Sequence, residues 1–164
     1  MEARIVPAGP AALPAIAALA RIIWQAHYPG IISQAQIDYM LAKMYALEVL
    51  EDELQHGIGY DQLLVGDELA GFASHSPVDA HELKLHKLYV HPRWQRHGFG
   101  TMLLHHVECA GKKRGFATLT LAVNKRNTTA LSAYRKNGFQ VRDSVVVDIG
   151  AGFVMDDYVL AKGL

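Results

Sequence analysis

The sequence predicts one domain of the α/β class, and three observations support this prediction. Segments with the alternation of β-strands and segments with helical spacing of apolar residues follow one another along all 164 residues. Hydrophobic residues make up 51% of the chain and charged residues 20%, which is typical of a folded protein. No repeat, low-complexity tract or linker interrupts the pattern, so we expect a single domain over residues 1–164.

Each expected element follows from local periodicity and from glycine, proline and capping residues at its ends. The first half predicts a strand at 4–6, a helix at 11–27, a second helix from Ser33 towards Leu54, and hairpin strands at 62–65 and 69–73. The second half predicts a strand at 82–90, a helix from Phe99, a strand at 117–123, a helix at 127–136, and strands at 139–147 and 153–160.

Charge and cysteine content limit the partners and the compartment. Sixteen basic residues balance sixteen acidic ones, so the chain as a whole has no electrostatic basis for binding nucleic acid. The apolar stretch at residues 11–24 is too short to cross a membrane and contains Pro14 and Arg21. Cys109 is the only cysteine, which excludes an internal disulfide, and its mid-helix position predicts a small buried residue. We therefore expect a soluble, cytoplasmic protein without a membrane partner.

A glycine-containing loop joins the strand ending at Val90 to the helix beginning at Phe99. Gly98 and Gly100 allow close approach of the main chain to a ligand, and the first amides of a helix have no internal acceptor. Together these features predict a site for phosphate groups, with Arg93 and Arg96 at its rim. A tight strand-to-helix turn explains the same glycines. The loop lacks the third glycine of a dinucleotide fingerprint and the Gly-Lys-Ser/Thr of a P-loop.

Two motifs in this region resemble those of the GCN5-related N-acetyltransferase (GNAT) family. The first is Leu88-Tyr89-Val90-His91-Pro92 followed by Gln95-x-x-Gly98-x-Gly100, and the second runs from Asn124 to Phe139 with Asn127, Tyr134 and Gly138 in place. The resemblance is specific over residues 82–139. It implies a central mixed, mostly antiparallel twisted sheet of six to seven strands flanked by about four helices. It also implies direct transfer of an acetyl group from acetyl-CoA to an amine in a ternary complex, without a metal.

The resemblance also implies roles for individual residues. The residues expected to bind the cofactor are Leu88, Tyr89, Val90, Gln95, Arg96, His97, Gly98, Phe99, Gly100, Thr101, Asn127 and Tyr134. Tyr134 is further expected to protonate the departing thiolate. His86 occupies a position similar to that of a histidine base in arylalkylamine acetyltransferases. Ala122 stands where protein N-terminal acetyltransferases carry a glutamate, which weakens the hypothesis of a peptide N-terminus as acceptor.

Structural explanations stand beside these roles. Asn127 is a good N-cap, Tyr134 could be a core aromatic, and His86 could be a strand residue that faces a helix. A water chain could replace His86 as the base. Nine histidines raise the question of a metal, but the five-residue spacing of His81, His86 and His91 sends consecutive side chains to opposite faces of a strand, and no metal is expected.

The acceptor amine is not specified by the sequence. The resemblance places its site near the first helices and the last strands, which carry Trp24, Tyr28, Ile31, Ile32, Tyr39, Asp156, Asp157 and Tyr158. Asp156 and Asp157 must face opposite sides of a strand, so at most one can line a pocket. The acceptor is a small-molecule or peptide amine. The alternatives are a non-catalytic CoA sensor and a Rossmann-like nucleotide binder, and the oligomeric state stays open, with a homodimer among the options.

Overall fold

The computed structural model describes residues 2–164 and has the expected α/β composition. Its α-helices are α1 (Leu13–His27), α2 (Gln34–Tyr45), α3 (Leu47–Gln55), α4 (Phe99–Lys113) and α5 (Thr128–Lys136). Its strands are β1 (Ala3–Pro7), β2 (Gly59–Val65), β3 (Glu68–Pro77), β4 (Glu82–Val90), β5 (Thr118–Asn124), β6 (Gln140–Gly150) and β7 (Phe153–Gly163).

The strands pair in the order β1-β2-β3-β4-β5-β7-β6. The β1–β2, β2–β3, β5–β7 and β6–β7 pairs are antiparallel, and β4 pairs with β5 in parallel. The prediction of a mixed, mostly antiparallel sheet of six to seven strands is therefore confirmed, with seven strands among the described residues.

The chain forms two compact units, and each is discontinuous in sequence. The first contains the residues up to Ser76 together with Lys87–Val107, and the second contains Pro77–His86 together with Glu108–Leu164. Strand β4 contributes to both units, because the boundary falls between His86 and Lys87.

In the first unit, α1 buries one face, as its periodicity predicts. Ile16, Ile23 and Trp24 are at most 2% exposed, and they recur at the spacing that one side of a helix requires. Ser33 caps α2, since its hydroxyl accepts a hydrogen bond from the amide of Gln36 at 3.1 Å.

The expected second helix is two helices, so that prediction is wrong in one respect. The chain breaks at Ala46, where φ is −59° and ψ is 142°. Tyr45 and Leu50 flank the break and are 2% and 0% exposed. Five residues turn a continuous helix by about 140° beyond one full turn, so an unbroken helix would direct these two side chains to different sides. The break allows both to be buried.

The second unit contains β5, α5 and the β6–β7 hairpin. Leu119 and Leu121 of β5 are buried, and β5 pairs with β7 from Thr118 to Asn124. Asn127 caps α5 by accepting a hydrogen bond from the amide of Ala130 at 3.3 Å, and Gly138 at φ 93° ends the helix region. The predictions of an N-cap at Asn127 and of a helix that ends at residue 136 are both confirmed.

Two remaining expectations concern Cys109 and the membrane. Cys109 lies on the exposed face of α4, so the prediction that it is buried is wrong. The helical register directs Leu103, Leu104 and Val107 inward and leaves position 109 outside their face. Within residues 2–164, every helix is too short or too polar to pass through a bilayer.

Candidate active site

The end of β4 offers main-chain groups that β5 does not use. The parallel pairing of the two strands covers Glu82–Lys84 and Thr118–Thr120 and stops there. Behind the end of β4, Gly71 of β3 lies so close that an added Cβ would sit 2.7 Å from the carbonyl oxygen of Tyr89. Glycine at position 71 therefore permits the close approach of the two main chains.

A run of unpaired amides follows β4. A 3₁₀ turn at Pro92–Trp94 leads into the glycine loop, and α4 begins at Phe99. Within residues 2–164, the amides from Arg96 to Thr101 have no intramolecular acceptor, and the first amide with one is that of Met102, which donates to the carbonyl of Gly98 at 3.0 Å. This arrangement combines a loop and a helix start that both present N–H groups to an anion.

Left-handed backbone conformations shape the same loop. Gly98 has φ 79°, and Arg96 has φ 64°, a conformation that is uncommon for a residue with a Cβ. Gly100 lies within α4 at an ordinary φ, and an added Cβ there would be 4.0 Å from Cγ2 of Val90. Strain at Arg96 is consistent with a loop shaped for a ligand.

Contacts between aromatic side chains hold the loop in place. Trp94 is 7% exposed and contacts the ring of Phe99 with centroids 6.2 Å apart. The ring of His97 stacks on Phe99 at 5.8 Å and 13°, and its Nδ1 lies 2.8 Å from the carbonyl oxygen of Gln95. His97 and Phe99 thus hold the loop through their side chains, while their amides stay unpaired.

The two arginines predicted at the rim differ in their surroundings. Arg93 lies over the ring of Trp94 at 4.9 Å and contacts Glu68 at 3.3 Å. Arg96 is exposed. The side-chain Nε2 of Gln95 donates to the carbonyl of Val90 at 3.3 Å, which links the loop to the end of β4.

A buried charge network in the first unit also fixes β4, and sequence reasoning missed it. Lys87 is 5% exposed, and its Nζ donates to Oε1 of Glu53 at 2.9 Å and to the hydroxyl of Tyr60 at 2.6 Å. The same Nζ lies 4.6 Å from the ring centroid of Tyr45. Burial lowers the pKa of Lys87, and the hydrogen bond that Lys87 donates to Glu53 opposes that change. The signal in the sequence was Lys87, which takes the place of an apolar residue in the alternation of buried positions along β4.

The aromatic residues expected at the acceptor site fall into two groups. Trp24 is buried and packs against Tyr28 at 4.2 Å and Tyr45 at 5.8 Å, so it belongs to the core of the first unit. The hydroxyls of Tyr28 and Tyr89 lie 3.0 Å apart. Ile31, Ile32 and Tyr39 are half-buried.

In the second unit, Tyr134 and Asn127 occupy opposite ends of α5. Tyr134 is half-buried, and its ring meets that of Phe139 edge to face at 5.5 Å. A groove of about 510 Å³ runs along this helix, lined by Thr128, Leu131, Ser132, Arg135 and Lys136. The two basic side chains make the groove suitable for an anionic ligand.

One face of the second unit carries His86 together with a buried carboxylate. In the strand register, Lys84 pairs with Thr120, Ala122 with Val159, and Asn124 with Asp157. Paired residues share a face, and alternate residues of a strand share it too, so these side chains and that of His86 lie on one face. His86 and Ala122 are exposed.

The other face of the second unit is occupied by helices. Lys162 pairs with Leu119, whose side chain points to the opposite face from that of Ala122. The Nζ of Lys162 contacts Oε2 of Glu108 on α4 at 3.0 Å. The same Nζ lies 5.9 Å from the ring of Phe139. Within this unit the face that carries His86 and Ala122 is therefore opposite to α4.

The two neighbouring aspartates of β7 differ sharply, as alternation predicts. Asp156 has a side chain 54% exposed and pairs with Lys125 at 2.7 Å. Asp157 is 4% exposed. Burial raises the pKa of Asp157, Asp156 raises it further, and Lys84 and Lys125 lower it.

Histidines outside the predicted site form one ionic cluster. Nε2 of His75 lies 2.9 Å from Oδ2 of Asp61, and Nε2 of His106 lies 3.7 Å from the same oxygen. No group of three or more side chains suited to a metal ion occurs among residues 2–164. Sequence spacing could not reveal this cluster, because its members lie on β2, β3 and α4.

Comparison with known proteins assigns the architecture. The profile of the acetyltransferase (GNAT) family matches residues 16–139. Spermidine N(1)-acetyltransferase of Thermoplasma acidophilum is 31% identical over 143 residues, which are 84% of this chain and 86% of that protein. Ribosomal protein bS18-alanine N-acetyltransferase of Escherichia coli K12 is 38% identical over 78 residues, which are 48% of this chain and 52% of that protein. The crystal structure of PaiA N-acetyltransferase from Thermoplasma acidophilum in complex with coenzyme A has a TM-score of 0.87 at 26% identity, with 100% of both chains covered.

Proposed function

The chain belongs to the GNAT family and is an acetyl-CoA-dependent N-acetyltransferase, and we propose that its acceptor is a primary amine of a short polyamine. The match that supports this acceptor is the spermidine N(1)-acetyltransferase, because it extends over 84% of the chain. Ala122 also favours a small molecule, since the glutamate expected of a peptide N-terminal acetyltransferase is absent there.

The cofactor role rests on one observation, the unpaired amides from Arg96 to Thr101. We propose that they bind the pyrophosphate of acetyl-CoA, to which a loop and a helix start present N–H groups together. Main-chain groups of Leu88 and Val90 then pair with the pantetheine arm, as an added strand would.

Asn127 and Tyr134 lie in the second unit, and their proposed roles toward the cofactor rest on the family motif. Oδ1 of Asn127 caps α5, and its position at the start of that helix is compatible with a contact to pantetheine. The hydroxyl of Tyr134 is proposed to protonate the thiolate. We propose one acyltransferase domain over residues 1–164.

The proposed chemistry is a single displacement. The amine nitrogen must first lose a proton, because an ammonium has no lone pair, and His86 is the proposed acceptor of that proton. The nitrogen then attacks the thioester carbonyl carbon, the C–N bond forms, and the C–S bond breaks. The thiolate of CoA takes a proton from the Tyr134 hydroxyl, and the extra proton that the nitrogen carries after attack is released, which allows the Tyr134 phenolate to be reprotonated. An N–H of β4 near its unpaired edge is the proposed donor to the oxyanion, a contact worth about 3–4 kcal/mol in comparable sites.

The test is an acceptor screen with purified protein and acetyl-CoA, with products identified by mass spectrometry. We expect acetylated spermidine or related polyamines as the preferred products. Acetyl-CoA bound without any acetylated amine would refute turnover, and preference for uncharged or aromatic amines would refute the polyamine assignment.

A second acceptor class has independent support from the bS18-alanine N-acetyltransferase match. That match covers 48% of this chain and includes no more than about half of that protein. A peptide that begins with alanine therefore belongs in the same screen. Faster acetylation of this peptide than of any polyamine would favour the second class.

The expected location is the cytoplasm. Cys109 is an exposed free thiol, and reducing compartments preserve such groups.

A further inference from the structure

The carboxylate of Asp157 is buried without a counter-charge in contact. Asp157 is 4% exposed, and Lys84 and Lys125 act on its carboxylate without forming an ion pair with it; its oxygens are not among the side-chain atoms of residues 2–164 that are both fully buried and unpartnered. Its neighbour Asp156 is paired with Lys125 instead. A largely buried carboxylate is costly to ionise unless it is paired, so this position suits a cation that comes from outside the protein.

The surroundings of Asp157 contain room for that cation. Asp157 pairs with Asn124 in the β5–β7 register, and Ala122, two residues away on the same face, is exposed although β5 is an inner strand of the sheet. His86 belongs to the same face of the second unit. The proposed proton acceptor and the unpaired carboxylate thus lie on the face opposite to α4.

We propose that Asp157 binds a positively charged nitrogen of the acceptor and thereby selects diamines and polyamines over monoamines. This inference rests on the proposed function, because it needs an amine acceptor with a second cationic nitrogen. The ion pair forms without covalent change: the non-reacting ammonium supplies the missing charge, while the reacting amine is presented to the thioester.

The charged groups that face Asp157 support this assignment. Lys84 comes from β4, Lys125 follows β5, and Asp156 lies on β7 itself. Desolvation is the largest influence on the pKa of Asp157 and raises it, so the cations near Asp157 offset its burial only in part. Lys84 and Lys125 lower the pKa, but neither forms an ion pair with Asp157.

The kinetic test compares 1,4-diaminobutane with butylamine, which differ by one cationic nitrogen. We expect the wild-type enzyme to favour the diamine in kcat/KM by about 30-fold or more, the usual consequence of a buried charge pair. Asp157→Asn should reduce the preference to within a few-fold, through a higher KM for the diamine, with KM for acetyl-CoA unchanged. Asp156→Asn is the matched control and should keep the wild-type preference.

The outcomes separate this inference from the proposed function. Wild-type protein that acetylates neither amine refutes the polyamine function. Wild-type protein without a preference for the diamine, or Asp157→Asn protein that keeps that preference, refutes the role of Asp157 alone. The wild-type comparison needs no variant, so absence of the preference refutes the role of Asp157 even if Asp157→Asn fails to fold.

A stability measurement tests the unpaired burial separately. The pKa of Asp157 is higher in the folded than in the unfolded chain, so the stability contributed by this group is present at low pH and is lost as pH rises through the folded value. Asp157→Asn should therefore raise Tm by about 2–4 °C at neutral pH, and the gain should disappear below the ordinary carboxyl pKa. An unchanged or lower Tm at neutral pH would show that Asp157 is compensated within the protein and would overturn the proposal.

Discussion

Replacement of Gly100 by alanine isolates the contact between the amide run and the cofactor. Gly100 has an ordinary φ within α4, and the added Cβ would be 4.0 Å from Cγ2 of Val90, an ordinary van der Waals distance. Gly98 is a poorer choice, because its φ of 79° would strain any side chain by about 1–2 kcal/mol. In the free protein Gly100→Ala should therefore be neutral or stabilising by up to about 1 kcal/mol, since alanine is the better helix former.

The effect on cofactor binding should have the opposite sign. If the pyrophosphate contacts the amides from Arg96 to Thr101, the new methyl group displaces it and weakens one charge-assisted hydrogen bond. Such a bond contributes about 1.5–3 kcal/mol, so the Kd for CoA should rise by roughly 10- to 150-fold.

Isothermal titration calorimetry with CoA, together with thermal unfolding of the free proteins, measures both effects. Gly9→Ala is the matched control, because its Cβ would also enter open space, and it should leave the Kd unchanged. An unaltered Kd for a fully folded Gly100→Ala protein would refute pyrophosphate binding at the start of α4.

Three further substitutions test the remaining parts of the site. Tyr134→Phe should lower kcat by about 10²-fold or more with the Kd for CoA unchanged, and full turnover would exclude Tyr134 as the proton donor. His86→Gln should remove the acidic limb of the kcat/KM profile, and persistence of that limb would assign the base elsewhere. Gly71→Ala should destabilise the fold by about 1–3 kcal/mol in urea denaturation, because its Cβ would meet the Tyr89 carbonyl at 2.7 Å; stability equal to wild type would mean that β3 and β4 can separate at no cost.

The elements that sequence predicted well depend on local rules. The hairpin turn at Gly66, the Ser33 cap and the Asn127 cap each require a particular residue type within a few positions. The glycine loop before α4 is local too, because Gly98 and the start of the helix lie next to each other in the chain. Motif spacing therefore predicted the loop and the start of α4 that we propose as the cofactor site.

The features that sequence did not predict depend on residues distant in the chain. The break at Ala46 serves the burial of side chains in the assembled first unit. Lys87 is paired with Glu53, which lies 34 positions away in the sequence. Periodicity alone could therefore not show that this lysine would be buried. For Asp157, strand alternation predicted that one aspartate would face inward, but the choice between the two needed the register of β7 against β5.

The outward position of Cys109 has a practical consequence for work on this enzyme. Colorimetric reagents that detect the free sulfhydryl of released CoA will also react with the protein, so they register one extra equivalent per chain at the start of each assay. The same accessibility makes maleimide attachment specific to a single position. A fluorophore or spin label can thus be placed on α4 of the natural sequence without removing any other cysteine.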